Sequence, residues 1–362
     1  MKIYYFLGLL FFMGLFTHCQ TTNENAHHQS KFSPTPTSKP LEKHKGAHVF
    51  GLVDSINVLS LKEHNIEWLT YVPFGSQRDY NSTDLSYHKQ DTAYQTRVDS
   101  IWKAKIRIAH QAEMKVFLKP HIWLFEPSDS KWRSDIYPKS DSDWEAWKES
   151  YREFILRYAK IAEENKVELF CIGTELTRLS LEKPEFWIAL IKEIKKVYKG
   201  KLTYAANWYE EYENITFWDN LDFIGVQAYF PLTKTKNPSI DNLSKGWYRF
   251  LPSLEKASQT FDRPILFTEI GYKSTANSAI SPWEWIEYEK NYEGELSLET
   301  QSNCYQAFFD TVWNKKWFAG LHLWQMRSNL VNENHHELIK LDFTPQNKPA
   351  MKIIAKGFAQ DN

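Results

Sequence analysis

The chain has 362 residues, of which 42% are hydrophobic, 16% are aromatic and 15 are tryptophan. Its formal net charge is −1 at pH 7, so no basic face for nucleic acid is predicted. Three cysteines are too few for a disulfide framework, and no Cys/His spacing is typical of a metal site. Cys171 and Cys304 are predicted to be inert core thiols. The tryptophans fit either a large core or a groove that stacks on sugar rings.

The N-terminus carries Lys2 and then a largely apolar run over residues 3–16. This run is too short to span a bilayer and is typical of a secretory signal peptide, which is predicted over residues 1–18. Residues 19–45 begin with Cys19 and are then rich in Thr, Asn, Ser, Pro, His and Lys. Such a segment is predicted to be a flexible tether because it cannot bury enough apolar surface to fold.

The order of apolar run, cysteine and polar tether resembles a bacterial lipoprotein signal, in which Cys19 would be lipidated. His18 departs from that signal, which usually has a small residue at this position. Ordinary secretion and an uncleaved anchor therefore stay open as alternatives. In every case the folded part is expected outside the cytoplasm. With lipidation, it is held on a membrane, in the periplasm or at the cell surface.

From residue 46 to residue 362, short apolar runs alternate with amphipathic segments. The runs predict eight strands, over residues 47–53, 66–74, 115–123, 167–175, 201–208, 222–230, 264–271 and 318–325. Helices are predicted over residues 95–113, 143–165, 184–198, 247–260 and 299–315. Alternating strands and helices predict an α/β fold with a parallel sheet, and eight strands close a barrel. The prediction is a single (β/α)8 TIM barrel.

Two of the predicted strands end in a glutamate, Glu175 in the fourth and Glu269 in the seventh. A carboxylate at the end of a buried strand is costly, so it needs a functional reason. In a TIM barrel the carboxyl ends of the strands meet at one face, where the active site lies. The two glutamates are therefore predicted to lie together at the mouth of the barrel.

The alternation of side chains along a strand places further polar or aromatic residues on the interior side of the barrel. They are Lys119, His121, Gln227, Tyr229, His322 and Trp324. A purely structural barrel would have Val, Ile and Leu there, so a functional mouth is predicted. Three long connections, over residues 75–94, 124–142 and 272–298, would wall it.

Two carboxylates at the ends of two barrel strands are the catalytic groups of glycoside hydrolysis. One must hold a proton to donate to the leaving oxygen, while the other stays ionised to attack the anomeric carbon or to activate water. The residues alone leave metal binding and proton abstraction open as other uses of a glutamate pair.

Seven short motifs occur in chain order: Leu-Lys-Pro-His-Ile-Trp (118–123), Tyr-Ala-Lys-Ile-Ala-Glu (158–163), Ile-Gly-Thr-Glu-Leu (172–176), Tyr-Ala-Ala-Asn-Trp (204–208), Phe-Ile-Gly-Val-Gln-Ala-Tyr (223–229), Leu-Phe-Thr-Glu-Ile-Gly-Tyr (266–272) and Pro-Trp-Glu-Trp (282–285). Together they resemble glycoside hydrolase family 113 of clan A, whose characterised members are β-mannanases. The resemblance covers most of residues 46–330.

The resemblance implies a retaining hydrolase of β-linked glycans, with β-1,4-mannan as the favoured substrate and no metal or organic cofactor. Glu175 would be the acid/base and Glu269 the nucleophile, with Tyr229 orienting Glu269 and Trp324 lying under the sugar. The substrate-binding residues implied or expected are His121, Trp123, Asn207, Trp208, Gln227, Tyr229, Trp283 and Trp324.

Two features depart from the clan. Thr174 stands where much of clan A has an asparagine that holds the sugar 2-hydroxyl, so Asn207 or His121 is expected to do this. The basic residue that many members place near the nucleophile has only Arg78 as a candidate. Two other functions stay open. One is a carbohydrate-binding surface lipoprotein on a barrel that has lost catalysis, and the other is a metal-dependent lyase or isomerase.

Overall fold

The computed structural model describes residues 41–51, 55–86, 91–286, 295–327 and 340–360. The predicted signal peptide, Cys19 and the predicted tether up to residue 40 lie outside these residues. Among the residues described, none of the helices combines the length and the apolar character that crossing a membrane requires.

The described residues form ten strands, which are β1 (His44–Phe50), β2 (Trp68–Tyr71), β3 (Phe74–Gln77), β4 (Lys115–Leu118), β5 (His121–Leu124), β6 (Leu169–Thr174), β7 (Lys201–Asn207), β8 (Phe223–Gln227), β9 (Ile265–Ile270) and β10 (Phe318–Arg327). All except β3 and β5 close a barrel in the order β1-β2-β4-β6-β7-β8-β9-β10. Each neighbouring pair is parallel. The predicted (β/α)8 TIM barrel is confirmed.

The helices of the described residues are α1 (Ser55–Lys62), α2 (Thr92–Gln111), α3 (Asp141–Glu164), α4 (Thr177–Glu182), α5 (Pro184–Val197), α6 (Ile240–Tyr248), α7 (Leu251–Phe261), α8 (Leu298–Thr311) and a C-terminal helix (Pro349–Phe358). Helix α3 begins where its sequence favours a start, because Ser140 and Asp143 cap each other's backbone N–H groups. The single helix predicted over residues 247–260 is instead divided between α6 and α7. Pro252 lies in the first turn of α7, a position that tolerates its missing N–H.

Two of the predicted strands are each divided in two by a proline. The chain leaves the barrel between β2 and β3 at Pro73, and between β4 and β5 at Pro120. Proline cannot donate a hydrogen bond to a sheet, so the ladder stops there. Strands β3 and β5 then pair with each other in a separate parallel ribbon above the barrel. The continuous strands predicted over residues 66–74 and 115–123 are wrong in this respect.

The barrel interior has a hydrogen-bonded polar centre beneath its mouth. The ring of His322 lies 2.7 Å from the hydroxyl of Thr70 through Nδ1 and 3.1 Å from Nδ1 of His44 through Nε2. His44 in turn stacks on Trp68 at 3.8 Å between ring centroids. Strand β1 therefore begins at His44, inside the segment predicted as tether. Cys171 and Cys304 are both buried, as predicted for core thiols.

Gly46 leaves the space that His322 occupies. A Cβ at position 46 would lie 2.2 Å from Nδ1 of His322. We expect Gly46→Ala to lower the free energy of unfolding by about 2 kcal/mol or more, as overpacked cores do. Urea denaturation would measure the loss. It should shrink in a His322→Ala background, and an equal loss in both backgrounds would contradict the steric cause.

Candidate active site

The carboxyl ends of the barrel strands open into a cleft of about 760 Å³. Every predicted catalytic and substrate-binding residue lines it: Glu175, Glu269, His121, Trp123, Asn207, Trp208, Gln227, Tyr229, Trp283 and Trp324. The cleft is also lined by residues that are not among the predicted site residues: Phe50, Phe74, Trp132, Arg133, Ser134, Tyr209, Trp285, Gln325 and Phe343.

A bulge in β9 turns Glu269 into the cleft. Leu266 packs in the barrel interior, and Thr268 donates from its hydroxyl to Oε1 of Gln227 at 3.0 Å. Regular alternation would then point Glu269 outward. The pairing of β8 with β9 shifts register between Val226 and Gln227, so two consecutive side chains of β9 face inward.

Glu175 reaches the cleft by a different irregularity. It follows the last residue of β6 with φ = 52°, in the left-handed region, which is uncommon for a residue other than glycine. The ladder between β6 and β7 also shifts register between Cys171 and Thr174. A Cβ on Gly173 would meet Trp187 of α5, outside the barrel. Gly173 therefore faces the helix layer and not the barrel interior.

Glu269 is buried among groups that keep it ionised. Lys119 donates from Nζ to Oε1 of Glu269, and the hydroxyl of Tyr229 donates to Oε2 at 2.7 Å. Burial alone would raise the pKa of Glu269, but the charge of Lys119, together with His48 and the two hydrogen bonds, lowers it to about 2. The carboxylate is thus charged and held in one orientation by Tyr229.

The basic residue beside Glu269 is Lys119, and the choice of Arg78 is wrong. Arg78 pairs with Glu126 at 2.7 Å on the surface, where its side chain is 70% exposed. Arg78 directly follows Gln77, so the two side chains point to opposite faces. Gln77 is the buried one, and its Oε1 accepts a hydrogen bond from the indole N–H of Trp147. Lys119 was already predicted on the interior side of its strand, and that parity was the signal that could have identified it.

Glu175 has the opposite electrostatic environment. Burial raises the pKa of its carboxyl, and the negative charge of Glu269 adds to this, while Arg133 opposes it. Nε of Arg133 lies 3.5 Å from Oε2 of Glu175. Two carboxyl groups in one cleft whose pKa values are shifted in opposite directions can serve as an acid and a base.

Gln227 joins the surroundings of the two carboxyl groups. Its Oε1 accepts from Nζ of Lys119 at 3.0 Å and from Thr268, while its Nε2 lies 3.4 Å from Oε1 of Glu175. Gln227 lines the cleft as predicted for a sugar contact. Its amide oxygen already accepts two hydrogen bonds, so in this structure Gln227 links Lys119 to Glu175.

Two neutral histidines flank Glu269. Arg133 donates from Nη1 to Nδ1 of His121 at 2.8 Å, so the ring proton of His121 lies on Nε2. That Nε2 is buried with no hydrogen-bond partner and lies 3.8 Å from Oε1 of Glu269. Burial, with Lys119 and Arg133, holds the pKa of His121 well below its ordinary value. Burial likewise lowers the pKa of His48 to about 3.

Aromatic rings form the floor and both walls of the cleft. Trp324 packs edge-on against His48 at 5.0 Å between centroids, and its peptide bond to Gln325 is cis. On one side, Trp208 and Trp283 stack at 5.5 Å. On the other, Trp123 is 45% exposed and packs edge-on against Trp132 at 5.4 Å. Such flat apolar faces can each carry one polar contact and suit the faces of sugar rings.

The described residues contain no group of three or more His, Cys, Asp or Glu arranged to hold a metal ion. The charged groups of the cleft are instead paired with one another. In this arrangement Glu175 can protonate the atom at one end of a bond, and Glu269 can offer a carboxylate to the atom at the other end.

Comparison with known proteins identifies the family. The profile of Glycoside Hydrolase Family 113 matches residues 53–348. No curated protein matches the chain in sequence. Among solved structures, a complex of a GH113 β-1,4-mannanase is 25% identical with a TM-score of 0.73, covering 88% of this chain and all of the other. The GH113 β-mannanase AaManA from Alicyclobacillus acidocaldarius is 26% identical with a TM-score of 0.72, at 88% and 98% coverage.

A β-glucuronidase from Faecalibacterium prausnitzii shares the fold, at 12% identity and a TM-score of 0.55, with 88% of this chain covering 49% of the enzyme. The profile match extends over far more than half of the chain. Together with the barrel and its cleft, it shows that this protein belongs to glycoside hydrolase family 113 and is a glycosidase.

Proposed function

We propose that the protein hydrolyses β-linked mannan, most specifically β-1,4-mannan, with retention of configuration at the anomeric carbon. The observation that carries the proposal is the pair of carboxyl groups in a single cleft, Glu269 with a lowered pKa and Glu175 with a raised pKa. The two similar solved enzymes are described as β-mannanases, which supports mannan as the substrate class.

In the first step, a carboxylate oxygen of Glu269 attacks the anomeric carbon while Glu175 gives its proton to the glycosidic oxygen. The C–O bond to the leaving sugar breaks, and a glycosyl ester of Glu269 forms. Esterification removes the charge that helps to raise the pKa of Glu175. The pKa of Glu175 therefore falls. In its ionised form Glu175 acts as the base and takes a proton from a water molecule. That water attacks the anomeric carbon and frees Glu269.

Other residues of the cleft are assigned to binding. Nε2–H of His121 is a donor without a protein partner, so it can donate to a sugar hydroxyl. Asn207 uses Nδ2 to donate to Thr177 at 2.8 Å, which leaves Oδ1 to accept from a hydroxyl. Thr174 is buried beside Cys171. The role of the missing asparagine is therefore given to His121 or Asn207.

The test is to incubate the purified protein with mannan, glucan and xylan and to follow the first products by proton NMR. We expect cleavage of mannan, with the β-anomer formed first and the α-anomer appearing only by mutarotation. An initial α-anomer would overturn the retaining mechanism. Binding of mannan without any new reducing ends would instead favour a non-catalytic binding protein.

The loop that carries Trp283 and Trp285 is fixed by a buried lysine. Lys273 donates from Nζ to the backbone oxygen of Glu284 at 2.6 Å. We expect Lys273→Met to raise KM for mannan about tenfold with kcat changed less than about twofold, because it removes binding and not chemistry. Steady-state kinetics would measure this, with the exposed Lys234→Met as control. A loss confined to kcat would contradict it.

We also propose that Cys19 is lipidated and anchors the protein to a membrane outside the cytoplasm. The support is the sequence order of an apolar run, Cys19 and a polar tether. Membrane fractionation and mass spectrometry of the N-terminal peptide would test it. Release of the protein by Cys19→Ser is expected, whereas a cleaved N-terminus without lipid would indicate ordinary secretion.

A further inference from the structure

Another carboxyl group, that of Glu211, lies behind the cleft wall. It is completely buried, and four donors occupy its two oxygens. Oε1 accepts from the hydroxyls of Tyr204 at 2.6 Å and Ser180 at 2.7 Å. Oε2 accepts from the hydroxyl of Thr177 at 2.9 Å and from the backbone N–H of Asn207 at 2.7 Å. Burial raises the pKa of Glu211 to about 7, although all four donors favour its ionised form. A buried carboxyl group with this many donors is a structural centre that holds the segments around it together.

The donors come from the two segments that present Glu175 and Asn207. Thr177 and Ser180 lie in α4, directly after Glu175 in the chain, while Asn207 ends β7. Glu211 therefore joins the turn that follows β6 to the turn that follows β7.

One hydrogen-bond chain leads directly to the backbone of Glu175. The N–H of Leu176 donates to the hydroxyl of Tyr204 at 2.8 Å, and that hydroxyl donates its own proton to Glu211. On the other side, the N–H of Glu175 donates to the backbone oxygen of Ala205. The left-handed backbone of Glu175 is thus held at both of its flanking peptides, and Glu211 fixes one of them.

Asn207 depends on Glu211 twice. Its backbone N–H donates to Glu211, and its side chain donates to Thr177, whose hydroxyl proton is itself directed at Glu211. Replacing the carboxyl group of Glu211 would weaken the hydrogen bonds that hold both the backbone and the amide of this cleft residue.

We infer that Glu211 is a positioning residue. It holds Glu175 in the orientation from which its carboxyl group protonates the leaving oxygen, and it also holds Asn207 in place. The inference rests on the proposed function, since it takes Glu175 as the proton donor. In Glu211→Gln the amide NH₂ would face two of the four donors, so these lose their acceptor and their hydroxyls must reorient. Small displacements of a catalytic group are costly, because the reacting atoms must be closely aligned.

The test uses the dependence of rate on the leaving group. The dinitrophenolate of a dinitrophenyl β-mannoside leaves without being protonated. The leaving groups of a phenyl β-mannoside and of mannan need a proton from the acid. We expect Glu211→Gln to lower kcat/KM roughly 100-fold on the phenyl glycoside and on mannan, within the usual range for acid catalysis. On the dinitrophenyl glycoside it should stay within about threefold of the unmutated protein. Glu175→Gln should give the same pattern with larger losses.

Two further variants keep the result interpretable. Glu210→Gln changes the exposed neighbouring carboxylate and should leave all three rates unchanged. Tyr204→Phe removes only the hydroxyl between Leu176 and Glu211, and it should reproduce the leaving-group dependence in a weaker form. It serves as the test if Glu211→Gln does not fold.

The outcomes separate this inference from the proposed function. If Glu175→Gln lacks the leaving-group dependence, Glu175 is not the acid and the proposed function fails. If Glu175→Gln shows the dependence while a folded Glu211→Gln loses all three activities equally, or none, the positioning role alone is overturned.

Discussion

Replacement of Glu269 by alanine should lower kcat/KM on mannan by a factor on the order of 10⁵, as removal of a nucleophile does in other hydrolases. Lys119 and Tyr229 would then surround an empty position facing the anomeric carbon. Azide is small enough to enter that position. We expect it to restore turnover of a dinitrophenyl β-mannoside and to yield the α-mannosyl azide, because it attacks from the side that Glu269 occupied.

The matched control for this result is Glu175→Ala. With Glu269 intact, the dinitrophenyl glycoside still forms the glycosyl ester, and azide then attacks the ester from the side of Glu175. The product should be the β-mannosyl azide. Identification of the two azides by NMR assigns each glutamate to one side of the sugar. Azides of the same configuration from both variants would contradict the assigned roles.

Replacement of Lys119 by methionine should remove most of the activity and change its dependence on pH. Without the ammonium, burial of Glu269 is no longer compensated, so the pKa of that carboxyl should rise from about 2 to above its ordinary value of 4.5. The acidic limb of kcat/KM should therefore move to higher pH. A pH–rate profile measures this, and an unmoved acidic limb would show that Lys119 does not control the ionisation of Glu269.

The same substitution should lower stability at neutral pH by about 3 kcal/mol, the usual cost of breaking a buried ion pair. The sign follows from linkage: a carboxyl whose folded pKa is depressed stabilises the fold above its unfolded pKa. That contribution is lost as the pH falls from about 4.5 to about 2. The control is Lys201→Met, whose partner Asp222 is a surface residue, with an expected loss below about 1 kcal/mol. Equal losses would contradict the argument.

The fold could be predicted because regular strands reveal themselves by alternation. Parity along single strands placed Lys119, Gln227, Tyr229, His322 and Trp324 on the interior side, and the structure has them in the cleft or beneath it. Each of these predictions needs only the alternation of side chains along one strand. The family motifs then predicted the functions of these positions.

What could not be predicted depends on contacts between distant segments. The bulge that turns Glu269 inward arises from the pairing of β8 with β9, which local sequence does not display. Arg133 lies in a 3₁₀ turn of a long connection, and only the fold brings it to His121 and Glu175. In the sequence, Glu211 is one of several acidic residues in a polar turn. Only the fold shows that four donors surround its carboxyl group.

The parallel ribbon of β3 and β5 has a consequence for the thermodynamics of binding. One of its faces packs against α3, since a Cβ on Gly75 would meet Phe154. The other carries Phe74 and Trp123 into the cleft. This wall is preorganised, because sheet hydrogen bonds fix its backbone before any glycan arrives. Contacts made there therefore lose little conformational entropy when a sugar chain binds.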